Sequence, residues 1–338
     1  MSTNTLKTAG GSWLRRSRSI HGLMALCALL SWTSCQRSNE YRRDQTYAPG
    51  DDAVSYYANR SGKTPTQRVE GMGQPKKRVM IFNFWNDTPI KQADLGLFAA
   101  DELRRGLHLS QRVIIPPDAK TDLATSDFIQ GDKVKVAQLI REGRRMGVAV
   151  LVIGRISKVV FRQRGDDVGL LRQKQSLAAV DVEIKVFDVA AGREVMATAK
   201  SGESSSNTVV ALESGNIESA QFRGELTKLA TRNAMVPIVG DVLKSVEKMT
   251  WEGRIAKVSG GKVYLNSGRA SGLISGDILR VMAQGDDIYD PNTGAYLGRS
   301  PGQLKGTLEV VDFMGADAAI TEIHTGGNFQ EGDPVQLY

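Results

Sequence analysis

Cysteine, histidine and long apolar runs are what this sequence has least of, and each scarcity excludes a class of protein. Among 338 residues there are two cysteines and three histidines. His108 and His324 stand far apart, with no second His or Cys at metal-ligand spacing, so no zinc site is expected and both read as boundary residues. Apolar stretches fall short of the ~20 residues that a membrane helix needs. Also missing are a Gly-x-Ser-x-Gly elbow, a Gly-x-x-x-x-Gly-Lys-Ser/Thr phosphate loop and a His-Glu-x-x-His helix. No catalytic residue and no cofactor emerge. Aromatic residues make up only 6% of the chain, and glycine is frequent late in it, where turns must be tight.

What is present begins with a leader. Lys7, Arg15, Arg16 and Arg18 precede an apolar run over residues 22–30, and Ser31-Trp32-Thr33-Ser34-Cys35 follows. A basic start, a brief apolar middle and small residues at the junction make residues 1–34 a signal peptide and not a fold element. The junction resembles the lipoprotein box, whose cysteine receives the lipid, although bulky Trp32 stands where Leu is usual. Cys35 is therefore the predicted lipidation site. A buried or incidental thiol after ordinary cleavage is the competing reading. Cys27 leaves with the leader, so the mature chain has no intrachain disulfide and its core must hold by packing.

The leader also takes four of the 44 basic residues and none of the 37 acidic ones, so the net charge falls from +7 to +3, 40 against 37. A basic balance that belongs to targeting gives no support to a nucleic-acid partner.

Residues 35–77 read as a flexible polar tether, with Ala48-Pro49-Gly50 and Gly62-Lys63-Thr64-Pro65 but no apolar period. A coil of that length reaches on the order of 35 Å. Residues 78–249 read as an α+β domain. A buried strand is predicted over 79–84. A helix follows from Asp94, with Leu95, Phe98, Ala99, Leu103 and Leu107 at helical spacing. A second strand falls at 112–115, and Val136, Leu139, Ile140 and Met146 mark a second helix that Gly147 would stop. A third strand starts at Val148. Val180, Val182, Ile184 and Val186 alternate with polar residues, which predicts a half-buried strand that turns through 190–193 into a partner at 194–198. A last helix spans about 218–249, with a kink expected at Pro237.

Residues 250–338 have another character. Short strands at 253–258, 262–266 and 276–281 are matched by 306–311, 318–323 and 332–337, with glycine turns between them. The recurrence predicts a small, internally duplicated β-barrel, since closure removes the exposed edges of short strands.

Within these elements a few groups invite a functional reading. Asp286, Asp287, Asp290 and Asn292 form the one acidic cluster with oxygen-ligand character, but no closing Glu follows, and Asp290-Pro291-Asn292-Thr293-Gly294 also suits a tight turn. No metal is expected. Asp277 and Asp333 each follow a glycine and are predicted to cap local backbone N–H groups. Arg141, Arg144 and Arg145 read as the wet face of a helix. Trp85 and Trp251 lie at element boundaries, as packing at a domain seam or as anchors for a partner.

With the elements placed, residues 78–248 resemble the CsgG family of curli-secretion lipoproteins, whose soluble core is related to the N-terminal domain of TolB. The strings that carry this are strand 79–84, the helix from Asp94, Gly147-Val148-Ala149-Val150-Leu151-Val152-Ile153-Gly154-Arg155-Ile156 and Val182-Glu183-Ile184-Lys185-Val186-Phe187-Asp188-Val189-Ala190-Ala191-Gly192. Residues 252–338 resemble the C-terminal domain of FlgT, a flagellar-assembly protein, on 253–281, Asp290-Pro291-Asn292-Thr293-Gly294-Ala295-Tyr296-Leu297-Gly298 and the Gly332-Asp333 strand. The resemblance implies an α/β sandwich followed by the barrel. It also implies ring assembly through the hairpin at 180–198 and the helix from Glu218.

The curli channel inserts two hairpins into the outer membrane, and its counterparts here would be 161–176 and 202–215. The first carries Arg162, Arg164, Asp166, Asp167, Arg172 and Lys174, and the second is rich in Ser and includes Asn207. Neither supplies the alternating apolar face of a membrane strand. Both are expected as loops or short soluble strands at a ring's edge, with Arg162 and Asn207 open to a partner. The reading is thus a non-enzymatic, lipid-anchored periplasmic ring or scaffold of an envelope assembly, such as a flagellar basal body or secretion machine. It would be held through Cys35 at the inner leaflet of the outer membrane, because Gln36 and not Asp follows the cysteine. Envelope-machine proteins and further copies of the chain are its expected partners. A curli-type channel subunit and a lipoprotein activator of a peptidoglycan synthase are the alternatives.

Overall fold

Lys77, Val79 and Ile81 alternate with Arg78 and Met80 in a strand whose two faces are both covered. Such burial is what a strand flanked on both sides by parallel neighbours requires. The computed structural model describes residues 73–89, 94–116, 123–131, 133–165, 171–211 and 220–338. Cys35 and residues 36–72 of the expected tether lie outside them, whereas Lys76 N–H already donates to Ser271 O and Lys77 is the buried first residue of the opening strand. The described residues belong to one compact unit, within which an α+β lobe is followed by a barrel lobe.

Strand β1 (Lys77–Ile81) is followed by β2 (Trp85–Asn86), helix α1 (Leu95–Ser110) and β3 (Val113–Ile114). A 3-10 turn (Thr125–Phe128), the small hairpin β4 (Ile129–Gln130) and β5 (Lys133–Val134), and helix α2 (Val136–Arg145) come next. Three long strands, β6 (Val150–Gly165), β7 (Leu171–Asp188) and β8 (Arg193–Ala211), lead to helix α3 (Ala220–Glu247). The sheet order is β3-β1-β6-β7-β8, with β2 added beside β6. β1 pairs in parallel with β3 and β6, and β7 is antiparallel to both of its neighbours.

Helices α1 and α3 cover one face, where Leu95, Ala99, Leu103 and Leu107 meet Val79, Ile81, Val150 and Val152. Their spacing of three and four residues puts these side chains on one stripe. Helix α2 covers the other face, with Leu139 and Ile140 against Met80, Phe82, Leu151 and Phe187. Each fully buried aliphatic or Phe side chain here contributes roughly 1.5–3 kcal/mol. Gly147 ends α2 in the left-handed region at φ 64°, its N–H donating to Arg144 O at 3.0 Å. Helix α3 continues through Pro237 as one element.

The expectation of loops or short strands at 161–176 and 202–215 gives way to longer elements. β6 and β7 stay paired out to Gly165↔Lys174, and β7 and β8 out to Leu171↔Ala211. The polar composition did not prevent pairing, because the hydrogen bonds are made by backbone, and α3 supports part of the extension: Arg223 lies 5.2 Å from the Phe161 ring centroid.

The barrel lobe consists of β9 (Gly253–Ser259), β10 (Lys262–Leu265), β11 (Ile278–Met282), β14 (Leu304–Met314), β15 (Ala318–Gly326) and β16 (Pro334–Leu337). They close as β10-β15-β14-β11-β16-β9. Val263 and Leu265, Leu279 and Val281, and Leu308 and Val310 point inward at the strand period of two, around Trp251 and Ile255. The short hairpin β12 (Asp287–Tyr289) and β13 (Tyr296–Arg299) is inserted between β11 and β14.

Candidate functional site: the seam between the lobes

The inserted hairpin reaches back to the α+β lobe. Arg144 Nη2 donates to Asp287 Oδ1 at 2.6 Å, and a Cβ on Gly192 would strike the Tyr296 hydroxyl. A Cβ on Gly298 would lie 3.3 Å from Ala191 O, a looser approach. On another side of the seam, Asn266 Nδ2 donates to Gly147 O at 3.2 Å and Lys76 N–H donates to Ser271 O at 2.7 Å. Arg78 lies 3.6 Å from Asp317, whose carboxylate also accepts from Gly268 N and Ser271 N at 2.8 Å. Arg141 and Arg145 are exposed, as expected for a wet helix face. Arg144 is not: its side chain is 17% exposed and serves the seam.

Between the lobes lies a cleft of about 330 Å³, lined by Asp188, Ala191, Glu252, Arg299, Ser300 and Gln336 among others. Asp188 closes the β7–β8 turn, its Oδ1 accepting from Ala190 N and Ala191 N at 2.9 and 3.1 Å. Burial pushes its carboxyl above the ordinary carboxylate range, against the pull of those amides and of Arg193 and Lys77. Burial raises Glu252 as well, opposed by the Arg254 guanidinium, whose Nη2 donates to Glu252 Oε1 at 3.1 Å. Arg299 donates Nε to Gly285 O at 2.7 Å, and burial together with nearby Arg144 and Arg254 lowers its pKa. The seam is thus a partly desolvated set of alternating charges.

The sheet reverses its winding at β1, with α1 and α2 on opposite faces, and such a reversal is where open α/β sheets hold ligands. Here the chain fills that position itself. β2 pairs with β6 through Trp85↔Arg155, and Arg104 Nη2 donates to Ile81 O and Asn83 Oδ1 at 2.6 and 3.1 Å. Phe84 packs so closely on Gly154 that a Cβ there would enter its ring.

The other sequence-predicted groups are dispersed. Trp85 is half-buried on β2, whereas Trp251 is 2% exposed inside the barrel core, a packing position with no surface left for a partner. Arg162 is exposed on β6, and Asn207 lies in β8 opposite Gln175. Asp290 accepts from Asn292 N and Thr293 N at 2.8 Å, the geometry of the tight turn, and no metal-holding cluster occurs among the described residues. Asp277 Oδ2 accepts from Ile274 N and Asp333 Oδ2 from Gln330 N, both three residues back. His108 ends α1 and His324 lies in β15, where burial lowers its pKa to about 4. No helix among the described residues is long and apolar enough to cross a membrane.

No protein-family model and no curated protein matches the sequence. Among solved structures, the hypothetical protein CT253 from Chlamydia trachomatis is similar at a TM-score of 0.34 and 16% identity, over 51% of this chain and 98% of that one. Lipoprotein GNA1162 from Neisseria meningitidis is similar at 0.26 and 12%, over 50% and 99%. The LpoB C-terminal domain from Salmonella enterica is similar at 0.22 and 10%, over 44% and 92%. At these scores the chain's own residues have to carry any functional argument.

Proposed function

We propose that the chain is a non-enzymatic, lipid-anchored periplasmic ring or scaffold component of an envelope assembly, tethered through Cys35 to the inner leaflet of the outer membrane. The observation that carries this is the leader, with its basic start, apolar run at 22–30 and Cys35, followed by a polar stretch before the first described strand. The α+β lobe is read as a TolB-N/CsgG-like sandwich and the barrel as a duplicated unit of the FlgT C-terminal kind. The bonding of the two barrel halves supports duplication. Gly276 N–H donates to Val310 O at 2.7 Å and Gly332 N–H to Ile255 O at 2.8 Å, while Val310 N–H and Ile255 N–H return to Asp277 O and Asp333 O, both at 3.0 Å.

Homo-oligomerisation is supported by β8, which among the described residues has no strand beyond it in the sheet and so presents an edge for pairing, although Glu203 O is taken by Asn233. A head-to-tail contact would close a ring only if its rotation divides a full turn. In-cell crosslinking through single cysteines at Arg162 and Asn207, with mass spectrometry of the adducts, tests the reading. Self-linked ladders together with envelope-machine proteins are expected, and a strictly monomeric pattern without adducts would refute it. The length of β6, β7 and β8 favours one second reading, a channel subunit, and single-channel conductance in planar bilayers would establish that instead. Against it, Arg162, Lys174 and Glu203 lie on these strands, where a lipid face would have to be apolar.

A further inference from the structure

The seam cleft contains two charged groups held in position by hydrogen bonds to backbone, Asp188 and Arg299. Lys77 and Arg193 act on the first and Asp287 and Glu252 on the second, yet neither makes an ion pair among the described residues. Asp188 is aimed by its Oδ1 bonds to Ala190 and Ala191, and its Oδ2 has no protein partner among the described residues. Arg299 is aimed by its Nε bond to Gly285 O, and among the described residues no carboxylate lies within ion-pair distance of its guanidinium. The neighbouring charges are already matched, Arg144 with Asp287 and Arg254 with Glu252. The walls are preformed. Gly285 and Gly302 let two backbone segments approach so closely that a Cβ on either would meet Ser300 O or Ala283 O, and Ala283 N–H donates to Gln303 O at 2.6 Å.

We propose that this cleft binds a small zwitterion, an amino acid or short peptide, with its ammonium at Asp188 and its carboxylate at Arg299. A simple anion would lie beside Asp188 and Glu252, and a simple cation beside Arg299 with Arg144 and Arg254 behind it. A molecule bearing both charges sets each beside the cleft's own opposite charge, ammonium at Asp188 and carboxylate at Arg299, where a single charge meets only one of them. Its ammonium stabilises the charged form of a carboxyl that burial disfavours, and its carboxylate does the same for the guanidinium. The volume suits the small end of ligand clefts, and a junction between lobes is a common place for one. A wall fixed in advance loses little entropy on binding. The proposal is independent of how the chain is anchored.

Calorimetric titration of the detergent-solubilised full chain with alanine, alanyl-alanine, N-acetyl-alanyl-alanine and alanyl-alanine amide tests it. Alanine or alanyl-alanine should bind, and blocking either end should weaken binding by about tenfold or more. Asp188→Asn keeps an Oδ1 acceptor for the turn while removing the charge, and should weaken the unblocked ligand to a similar degree. Arg299→Gln should do likewise. Arg299→Lys should retain part of the affinity, and it replaces Arg299→Gln if that variant melts early. Absence of binding by all four probes to folded chain, equal binding of blocked and unblocked peptides, or unchanged affinity in Asp188→Asn and the Arg299 variant would each overturn the proposal. Binding of alanine but not alanyl-alanine would mark a free amino acid as the ligand, and the reverse a peptide.

Discussion

Arg144 and Asp287, 143 positions apart in the chain, form a 2.6 Å ion pair that fastens the last turn of α2 to the β12–β13 hairpin. Their side chains are 17% and 21% exposed, between the surface case and the buried one. Replacing either with Ala should cost about 1–2 kcal/mol. The double variant should cost less than the sum of the two, with a coupling of about 1 kcal/mol. Urea unfolding of the four proteins measures this, and zero coupling would mean that the pair does not bind the lobes together.

The seam carboxyls set a direction for pH. Burial raises the folded-state pKa of both Asp188 and Glu252 above the unfolded value. Their contribution to stability is therefore full below the ordinary carboxylate range and is lost as pH rises through the raised values. Glu142 runs the other way, because its bonds to Arg145 lower its pKa, so its contribution is lost only on acidification. Stability of the parent chain should thus fall relative to Asp188→Asn as pH rises from the ordinary carboxylate range towards neutrality. Parallel stability profiles of the two proteins, from denaturant midpoints across that range, would contradict this.

The sequence made the regular part of the architecture visible because burial there has a period. Val79 to Phe84, the stripe from Leu95 to Leu107, the alternation from Val180 to Val186 and the barrel strands all announced themselves through spacing, and Gly147 through its position after a helix. The seam did not, because it rests on pairs distant in sequence. Arg144 looks like any other basic residue on α2 until Asp287 is placed opposite it. Only the turn at Asp290 marked the hairpin that carries Asp287, since its strands are three and four residues long. The long arms of β6, β7 and β8 were hidden for another reason: their pairing is made by backbone, and their side chains show no sustained apolar alternation.

Cys35→Ala tests the anchor by location. The variant should leave the membrane fraction for the soluble periplasm or remain unprocessed, as followed by fractionation and intact mass. Membrane association that survives the change and is released by high salt would assign the attachment to a peripheral contact instead.

Gly202 is where α3 presses closest on the free-edge strand. A Cβ there would collide with Ala230 O and Ala234 N, both backbone atoms of the helix. The neighbourhood cannot easily give way. Asn233 Nδ2 donates to Glu203 O at 2.8 Å, and Lys200 pairs with Asp241 at 3.0 Å, so the helix is tied to β8 on both sides of the glycine. Gly202→Val therefore has to displace the helix or bend the strand, at a cost of about 1–3 kcal/mol, the range for overpacking a filled interior. Ser201→Val, one residue away on the exposed side, should change stability by no more than about 0.5 kcal/mol, read in the same thermal melts. Equal melting of the two variants would show that α3 does not depend on the close approach. A selective loss in Gly202→Val, accompanied by weaker self-crosslinking from a cysteine at Asn207, would tie the helix contact to the shape of the free edge.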